Sequence, residues 1–508
     1  MRIFVFAIGG TGSRVLTSLI MQLAAGIRPT DQNGKIIKDL SIVPIIVDPH
    51  EDNAGLQQAT ELLDNYRSIH NSIYGKQELN AEGFFSVKIE TLKEINAANV
   101  SADKFFFKMQ RVSDNRFDKF IGLEDMSPEN RLFAQLLFSK EELETRMHEG
   151  FYGSPNIGCI ALNEFKKSKD FDAFRSAYSE GDKLFFIGSI FGGTGAAGLP
   201  LFITSIRDLE HIDNEDTGKT LCAKAPIGAL VVMPYFSIAK DDESVINDTE
   251  FTIKTRSALR YYETNLNNYI HNIYYIADPS GTQDFENDPG NKNNQKGNKS
   301  HIVEFAGSLA LFDFIESDNT DVTEDHAGRN IAVHTEYKAY GLNDDKAFVS
   351  FVQLAKTTNT LCMEPMMKFY LLRHFMSKHL PNLLDKPFAK KFEPRIERSI
   401  ISRELEKFFT EYDRWCMEME SHGNTAHNLS LFTPVNENYT GAFKEIVTRK
   451  GFIGSKSVKV NDIQKCLDNV AQRPEHNNLP TAELRWFTIA NKALQQIINE
   501  NYEYSTLK

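Results

Sequence analysis

Uninterrupted apolar runs, separated by stretches of mixed polarity, form the main pattern in the N-terminal part of the chain. The runs lie at residues 2–8, 42–47, 183–187, 227–233 and 273–276, and they are rich in Ile, Val, Phe and Tyr. Runs of this length and composition are typical of strands that are buried on both faces of a sheet. The sequence therefore predicts a sheet whose interior strands are fully covered.

Amphipathic stretches lie between these runs. Apolar residues three and four positions apart predict helices from the end of the first strand to about Gly26, at residues 199–209, at 246–267 and at 301–316. The segment 278–300 is rich in Asn, Asp, Gly and Lys, and we predict a surface loop there. Because strands alternate with helices, we expect an α/β fold with a parallel sheet and helices on both of its faces.

A change of pattern near the end of the last of these helices marks a second region. Residues 317–330 are polar, and apolar residues at helical spacing then predict helices around 363–375, at 395–419 and at 482–500. We therefore expect a mostly helical or α+β C-terminal domain.

The predicted boundary divides the chain into residues 1–318 and residues 319–508. Within the first domain, the segments 50–150 and 237–300 are long. The first of these segments is mixed and charged, and we predict that it is mostly helical.

Composition and charge exclude several classes of function. The 508 residues include 57 Lys and Arg against 69 Asp and Glu, which gives a formal net charge of −12. A broadly acidic surface repels the phosphate backbone of nucleic acids, so we expect no general nucleic-acid binding. No apolar run approaches the roughly 18 residues that would cross a bilayer, and we expect no membrane span.

The cysteines and the N-terminus both favour a cytoplasmic protein. The five cysteines include no Cys-x-x-Cys pair, so neither a disulfide framework nor a cysteine zinc site is predicted. The apolar run at residues 2–8 leads directly into glycines and is predicted to be a strand rather than a signal peptide. A reducing, cytoplasmic environment is therefore expected.

Two glycine-rich segments each lie between a predicted strand and a predicted helix. Residues 9–13 have the sequence GGTGS, and residues 192–198 have the sequence GGTGAAG. Glycine lets backbone N–H groups approach an anion closely, and the N-terminus of the following helix adds unpaired N–H groups and a partial positive charge. Two such segments in one sheet can hold a polyphosphate between them, so the sequence predicts a nucleotide site.

Other glycine motifs fit only in part. The sequence contains no GxxxxGK[ST], which excludes a P-loop site. A dinucleotide fold needs GxGxxG and an acidic residue at the end of the next strand. Residues 193–198 match GxGxxG, but the next strand ends at Met233 without a carboxylate; the first segment has Asp48 after its next strand but Val15 in place of the third glycine. An NAD(P)-binding oxidoreductase therefore stays an alternative.

Several motifs in collinear order resemble the tubulin and FtsZ superfamily. The strand and glycine segment over residues 186–198 resembles the family signature GGGTG[ST]G, with Phe191 in place of one glycine and Ala196 and Ala197 in place of the last Ser/Thr–Gly pair. Residues 9–13 resemble the first glycine loop of the family, directly after the first strand.

Further motifs follow the family order. Asp48 lies where the family has an Asn or Asp after its second strand, residues 153–158 resemble the FtsZ loop near the γ-phosphate, and the predicted helix at 301–316 resembles the long central helix. The resemblance covers about residues 1–316, and the two long segments are more similar to divergent bacterial tubulin-like proteins. It implies a parallel-sheet, tubulin/FtsZ-like domain that binds GTP or GDP with Mg²⁺, although ATP stays open.

The resemblance implies roles for the matching residues. Backbone N–H groups of the two glycine segments would hold the phosphates, and Asp48 would reach Mg²⁺ through water or the nucleotide itself. A pair of loop residues would lie near the γ-phosphate, and the start of the central helix would contact the base. No residue is predicted to bind the metal directly. The predicted nucleotide-binding residues are Gly9, Gly10, Thr11, Gly12, Ser13, Asp48, Pro155, Asn156, Gly192, Gly193, Thr194, Gly195, Ala196, His301, Glu304 and Phe305.

Simpler structural roles fit the same residues. Glycines also permit close packing, and Asp48 with Pro49 can form a turn at the end of a strand. Ser300 can cap the helix that follows it, and acidic runs are commonly solvated linkers. These alternatives stay open at the level of the sequence.

The resemblance also implies hydrolysis at a shared site. In the family, acidic residues after the central helix reach the nucleotide of the next subunit and polarise the attacking water. The matching segment here is 318–325, in which Asp321 and Asp325 are the candidate catalytic residues, while Asp344 and Asp345 are a second pair. Such catalysis requires head-to-tail self-assembly into a filament, which is a heterologous contact. A nucleotide-gated interaction protein of a multi-component bacterial system, which does not polymerise, stays the alternative.

Overall fold

A computed structural model provides the structure of the protein. It describes residues 1–29, 35–50, 53–75, 82–95, 105–107, 112, 115–147, 151, 154–209, 220–235, 248–277, 299–341, 348–350, 356–378, 402–420, 428–430, 447–449, 458–476 and 478–504. Most of the predicted loop at 278–300 and the pair Asp344 and Asp345 lie outside the described residues.

The strands are β1 Arg2–Ile8, β2 Ser41–Val47, β3 Lys88–Ile89, β4 Lys183–Ser189, β5 Ile227–Val232, β6 Asn272–Ala277, β7 Val322–Glu324, β8 Asn330–Ala332, β9 Glu336–Gly341, β10 Phe348–Ser350, β11 Asn428–Ser430, β12 Val447–Arg449 and β13 Tyr502–Tyr504. One sheet has the order β3-β2-β1-β4-β5-β6-β9, and every neighbouring pair in it is parallel. Parallel strands place all of their carboxyl ends at one edge of the sheet, where ligands of α/β proteins commonly bind.

The helices are α1 Gly9–Ala24, α2 Ala54–Tyr74, α3 Leu92–Ile95, α4 Phe117–Phe120, α5 Pro128–Leu137, α6 Lys140–Glu144, α7 Pro155–Leu162, α8 Lys169–Ala177, α9 Gly193–Arg207, α10 Asp248–Asn265, α11 Ile302–Glu316, α12 Lys356–Lys378, α13 Arg403–Glu420, α14 Val460–Ala471 and α15 Ala482–Asn501. Within the part of the chain that the structure describes, no helix combines the length and the apolar character that a bilayer span requires.

Aromatic contacts place helices on both faces of the sheet. Successive side chains of a strand point to opposite faces, so Phe185 and Phe186 of β4 lie on different sides. Phe186 stacks on Phe6 of β1 with 4.7 Å between ring centroids, and Phe6 lies 5.9 Å from Phe202 of α9. On the other face, Phe185 lies 5.5 Å from Phe314 of α11. The predicted α/β fold with a parallel sheet is therefore confirmed.

The sheet has two edge strands, β3 and β9, that are not predicted from the sequence. The five predicted apolar runs coincide with β1, β2, β4, β5 and β6, whereas no strand is predicted where β3 and β9 lie. β9 follows residue 318 in the chain and pairs in parallel with β6. The sheet therefore continues past the predicted boundary between the two domains.

The C-terminal helices pack directly on the N-terminal region. α12, α13 and α15 lie where helices are predicted, although α13 begins later than residue 395, and no helix is predicted at the position of α14. The indole N–H of Trp415 in α13 donates a hydrogen bond to the hydroxyl of Ser18 in α1 at 3.1 Å. Phe408 of α13 lies 5.0 Å from Phe85 between ring centroids. These contacts join the two regions through one buried core.

Candidate functional site

The two glycine segments meet at the carboxyl edge of the sheet, where they line a cavity of about 200 Å³. They meet because β1 and β4 are neighbouring parallel strands, and each leads into a helix. A Cβ atom built on Gly9 would lie 3.3 Å from the backbone nitrogen of Gly195. The predicted residues that line the cavity are Gly9, Gly10, Thr11, Gly192, Gly193, Thr194, Gly195 and Glu304.

The helices that follow the two segments have N-termini without a side-chain cap. The N-cap of α1 is Ile8 and that of α9 is Gly192, and neither provides a capping hydrogen bond. The first N–H groups of such a helix have no acceptor within the helix, and they carry a partial positive charge. In contrast, the Asn53 side chain caps α2, and His301 caps α11. The unpaired backbone donors at the cavity therefore belong to α1 and α9, which is the arrangement that binds an anion.

Close packing explains some of the glycines without a ligand. A Cβ on Gly12 would lie 2.7 Å from the backbone carbon of Ala7, and one on Gly195 would lie 2.7 Å from the backbone nitrogen of Ser189. Gly9 adopts a φ of +75°, which favours glycine. Gly10 is different, because a Cβ atom on it would have an Asn53 side-chain nitrogen, 4.0 Å away, as its nearest neighbour outside the helix. Gly10 therefore has space on the cavity side that packing does not require.

Arg14 brings a buried positive charge to the cavity. Its guanidinium forms an ion pair with Glu304 and donates to the carbonyl oxygen of Lys299 at 2.7 Å. Burial alone would lower the pKa of Arg14, but the charge and hydrogen bond of Glu304, together with Tyr235 and Glu418, outweigh burial and raise the pKa. The Tyr235 hydroxyl donates to the same carboxylate at 3.0 Å. Because Glu304 balances the charge of Arg14, the helix N-termini supply much of the positive potential at the cavity.

Two predicted phosphate-binding residues have polar groups that are engaged inside their helices. The buried Ser13 hydroxyl lies 3.4 Å from the Gly9 carbonyl oxygen, which it can reach as a donor. The Ala196 N–H donates to the Gly192 carbonyl oxygen at 3.2 Å, as the first hydrogen bond of α9. The N–H groups of residues 193–195 precede this bond and lie in the uncapped first turn.

Asp48 lies at the carboxyl end of β2 but is not among the described residues that line the cavity. Its side chain is 8% exposed, and burial raises its pKa to about 7. The His50 N–H donates to its carboxylate at 3.0 Å, which opposes this rise. A carboxyl group with this pKa exists in both protonation states near neutral pH.

Pro155 and Asn156 form the first turn of α7, which packs behind the second glycine segment. A Cβ on Gly158 would lie 2.8 Å from the carbonyl oxygen of Gly193. Neither Pro155 nor Asn156 is among the described residues that line the cavity, and Gly153 of the same predicted loop lies outside the described residues. α7 therefore packs against the second glycine segment without lining the cavity.

The predicted base-contacting residues divide between the cavity and the core. Glu304 lines the cavity, whereas His301 and Phe305 are 2% and 0% exposed and are not among the described lining residues. Nδ1 of His301 accepts a hydrogen bond from the Val303 N–H at 3.1 Å. Phe305 packs on Trp415 with 6.1 Å between ring centroids. In this conformation His301 and Phe305 stabilise the start of α11.

Asp321 and Asp325 lie at the opposite, amino edge of the sheet. The Asp321 carbonyl oxygen is 3.2 Å from Nε2 of His271, the residue directly before β6. Because the strands are parallel, this edge lies roughly 20 Å from the glycine segments for strands of six or seven residues. Oδ1 of Asp325 accepts hydrogen bonds from the N–H groups of Ala327 and Arg329 at 2.8 and 2.9 Å, which builds the turn between β7 and β8. Neither residue reaches the cavity of its own chain.

Half of the residues that line the cavity are not among those predicted from the sequence. Asn53 has a local signal, because Asn directly before an amphipathic stretch is typical of an N-cap. Arg14, Ser189 and Phe191 lie within three positions of the predicted glycine segments, whereas Gln58 and Ser300 reach the cavity through contacts between distant parts of the chain, which residue spacing does not reveal. The missed lining residues are Arg14, Thr17, Asn53, Gly55, Gln58, Ser189, Phe191 and Ser300.

Comparison with known proteins identifies no family for this chain. No protein-family model matches the sequence, and a search of curated proteins finds no match. The resemblance to tubulin and FtsZ therefore stays a prediction.

Proposed function

We propose that this protein is a tubulin/FtsZ-like GTP-binding protein whose nucleotide phosphates lie between the N-termini of α1 and α9. One observation carries the proposal: two uncapped helix N-termini approach each other across a single cavity at the carboxyl edge of a parallel sheet. A polyphosphate has several charged oxygens, and it can accept hydrogen bonds from both helices at once.

The cavity has the size and the hydrogen-bond donors for the phosphates of a nucleotide, but it is small for the base and the sugar as well. The cavity of about 200 Å³ is below the roughly 300–1,000 Å³ of typical ligand pockets. The N–H groups of Gly10 and Thr11 on one side, and of Gly193 and Thr194 on the other, would bind phosphate oxygens. The Thr194 hydroxyl adds a donor. Arg14 would orient the ligand through its fixed guanidinium.

Mg²⁺ would reach this site with the nucleotide. Among the described residues, no group of three or more His, Cys, Asp and Glu side chains is placed to hold a metal ion. Mg²⁺ in nucleotide sites is held largely by phosphate oxygens and water, and it neutralises part of the phosphate charge. This protein would therefore contribute the backbone cradle, with Asp48 within reach only through water or after a rearrangement.

We further propose that hydrolysis takes place between stacked protomers. The cavity and Asp321 lie at opposite edges of the sheet, so a head-to-tail contact would bring Asp321 of one protomer towards the cavity of the next. Asp321 is exposed and would act as the residue that orients water. We assign Asp325 to the turn between β7 and β8, because its carboxylate already accepts backbone hydrogen bonds.

GTP turnover with Mg²⁺, measured across protein concentrations with pelleting of the same samples, tests this proposal. We expect specific activity to rise steeply above a threshold concentration, together with GTP-dependent pelleting, because the site is complete only in an assembly. Tight GTP binding with flat, negligible turnover and no pellet would contradict hydrolysis between protomers.

A mixture of two inactive variants provides the control. Thr194→Glu would block the cavity of one protomer, and Asp321→Asn would remove the acidic group of the other. An interface that joins the intact half of each variant is active, so an equal mixture should regain at most about one quarter of the activity. If the mixture is as inactive as each variant alone, the proposal of a shared site is wrong.

The non-polymerising alternative also has an observation in its favour. Hydrogen bonds from the backbone and guanidinium of Arg329 hold the pKa of Asp325 below its usual range and commit this carboxylate to its own turn. The acidic segment is thereby partly explained without catalysis. The alternative is a nucleotide-gated interaction protein, which predicts GTP binding with no concentration-dependent turnover.

A further inference from the structure

Two residues of the cavity lining, which are far apart in the sequence, form hydrogen bonds to side chains of helix α13. Oε2 of Glu418 accepts hydrogen bonds from the Ser300 N–H at 2.9 Å and from the Ser300 hydroxyl at 3.0 Å. The Gln58 side-chain amide donates to Oε2 of Glu411 at 3.2 Å. Ser300 and Gln58 both line the cavity, whereas Glu411 and Glu418 are not among the described lining residues.

Glu411, Arg414 and Glu418 form what we call the α13 clamp. Their spacing of three and four residues places them along one face of the helix. Arg414 pairs with Glu411, and its Nε lies 3.7 Å from Oε1 of Glu418. The arginine therefore links the two carboxylates, and one continuous polar chain runs from Gln58 to Ser300.

Trp415, on the same side of α13 as Glu411 and Glu418, is fixed in the core. Trp415 is 1% exposed, its indole N–H donates to Ser18 of α1 at 3.1 Å, and its ring packs on Phe305 of α11. α1 begins at the first glycine segment, and α11 begins next to Ser300. α13 therefore contacts both of these helices, and a shift of either one changes the surroundings of Trp415.

We propose that the α13 clamp positions Gln58 and Ser300 for the nucleotide and couples occupancy of the cavity to the conformation of α13. This inference rests on the proposed function, because the ligand is the nucleotide held by α1 and α9. Glu411 and Glu418 are positioning residues, since they act through Gln58 and Ser300. The C-terminal region thereby senses the ligand.

The sequence contains only two tryptophans, which makes Trp415 a usable reporter. The substitution Trp486→Phe leaves Trp415 as the single tryptophan of the full chain, which can be excited selectively. Titration with the slowly hydrolysed analogue GTPγS and Mg²⁺ should change the intensity or the emission maximum of Trp415. Isothermal titration calorimetry on the same protein gives the binding constant independently of fluorescence.

Clamp variants in this background test the coupling. Glu411→Ala combined with Glu418→Ala should abolish the fluorescence response and weaken GTPγS binding by about fivefold or more, because three hydrogen bonds to the lining residues are lost. Glu418→Gln keeps an acceptor for Ser300 and should retain most of the affinity. The control is Glu406→Ala, which removes one negative charge, against two in the double variant, from an exposed position near the start of α13. It should leave both readouts unchanged.

The outcomes separate this inference from the function on which it rests. If GTPγS binds by calorimetry but Trp415 does not respond, or if the double variant binds and responds as its parent does, the clamp proposal is wrong and nucleotide binding stands. If the unsubstituted protein binds no GTPγS, both proposals are wrong. Melting curves of each variant show whether a loss of binding reflects unfolding. Where the double variant does not fold, the Trp415 response of the Trp486→Phe protein, which needs no clamp substitution, decides the proposal.

Discussion

Gly10 and Gly12 lie two positions apart in α1, yet they meet different surroundings. A Cβ on Gly12 would clash with the backbone of Ala7 at 2.7 Å and with the Ile187 carbonyl oxygen at 2.9 Å, while the nearest neighbour of one on Gly10 lies at 4.0 Å. Local sequence predicts that both glycines belong to one loop. It does not predict which of them is required for packing and which faces the cavity, because that depends on β4.

The two glycines therefore respond differently to the same substitution. Gly12→Ala should lower the free energy of unfolding by about 2 kcal/mol or more, because backbone atoms on β1 and β4 cannot move aside. Gly10→Ala should change it by less than about 1 kcal/mol, since its surroundings are open. Denaturant unfolding followed by circular dichroism measures both. Equal losses in the two variants would contradict the packing described here.

At the scale of elements, α11 connects the two edges of the sheet. The capping box of His301 and Glu304 fixes its start. At its end, the Lys183 ammonium donates to the carbonyl oxygens of Phe314, Ile315 and Ser317 at 3.3, 3.0 and 2.9 Å. A cation at a helix C-terminus stabilises the helix. Lys183 thereby ties α11 to the first residue of β4.

Lys183→Met should destabilise the protein by about 2 kcal/mol, because it leaves two buried carbonyl groups and one partly buried carbonyl group without this donor. Lys338→Met is the matched control, since the Lys338 side chain is 35% exposed and its ammonium pairs with Asp313. It should cost less than about 1 kcal/mol. Thermal or denaturant unfolding gives both values, and a Lys183 variant as stable as the control would show that α11 is held by packing alone.

At the scale of the whole molecule, the central strands and the position of the glycine segments could be predicted from the sequence. Strands buried on both faces leave a continuous apolar run, and β1, β2, β4, β5 and β6 all have one. β9 lies at the sheet edge and has the sequence EYKAYG, in which polar residues interrupt the apolar ones. Such a strand leaves no run to detect.

The candidate site could be predicted only where its residues are close in sequence. The glycine segments have local signals, but the ion pair of Arg14 with Glu304 joins residues 290 positions apart, which no spacing rule reveals. The same is true of Glu418, which reaches Ser300 from the C-terminal region. His301 and Phe305 have the spacing of a base-contacting pair, yet packing against α13 buries Phe305.

The most direct test of the central claim is calorimetric titration of the unsubstituted protein and of Thr194→Glu with GTPγS and Mg²⁺. Thr194 lies in the uncapped first turn of α9, so a carboxylate there would repel the phosphates. Thr323→Glu adds the same charge at the opposite edge and serves as the control, and Thr194→Val tests the hydroxyl without adding charge. We predict binding at least about a hundredfold weaker for Thr194→Glu, with an unchanged melting temperature. Undiminished binding by a natively folded Thr194→Glu variant would contradict the assignment of this cavity as the phosphate site.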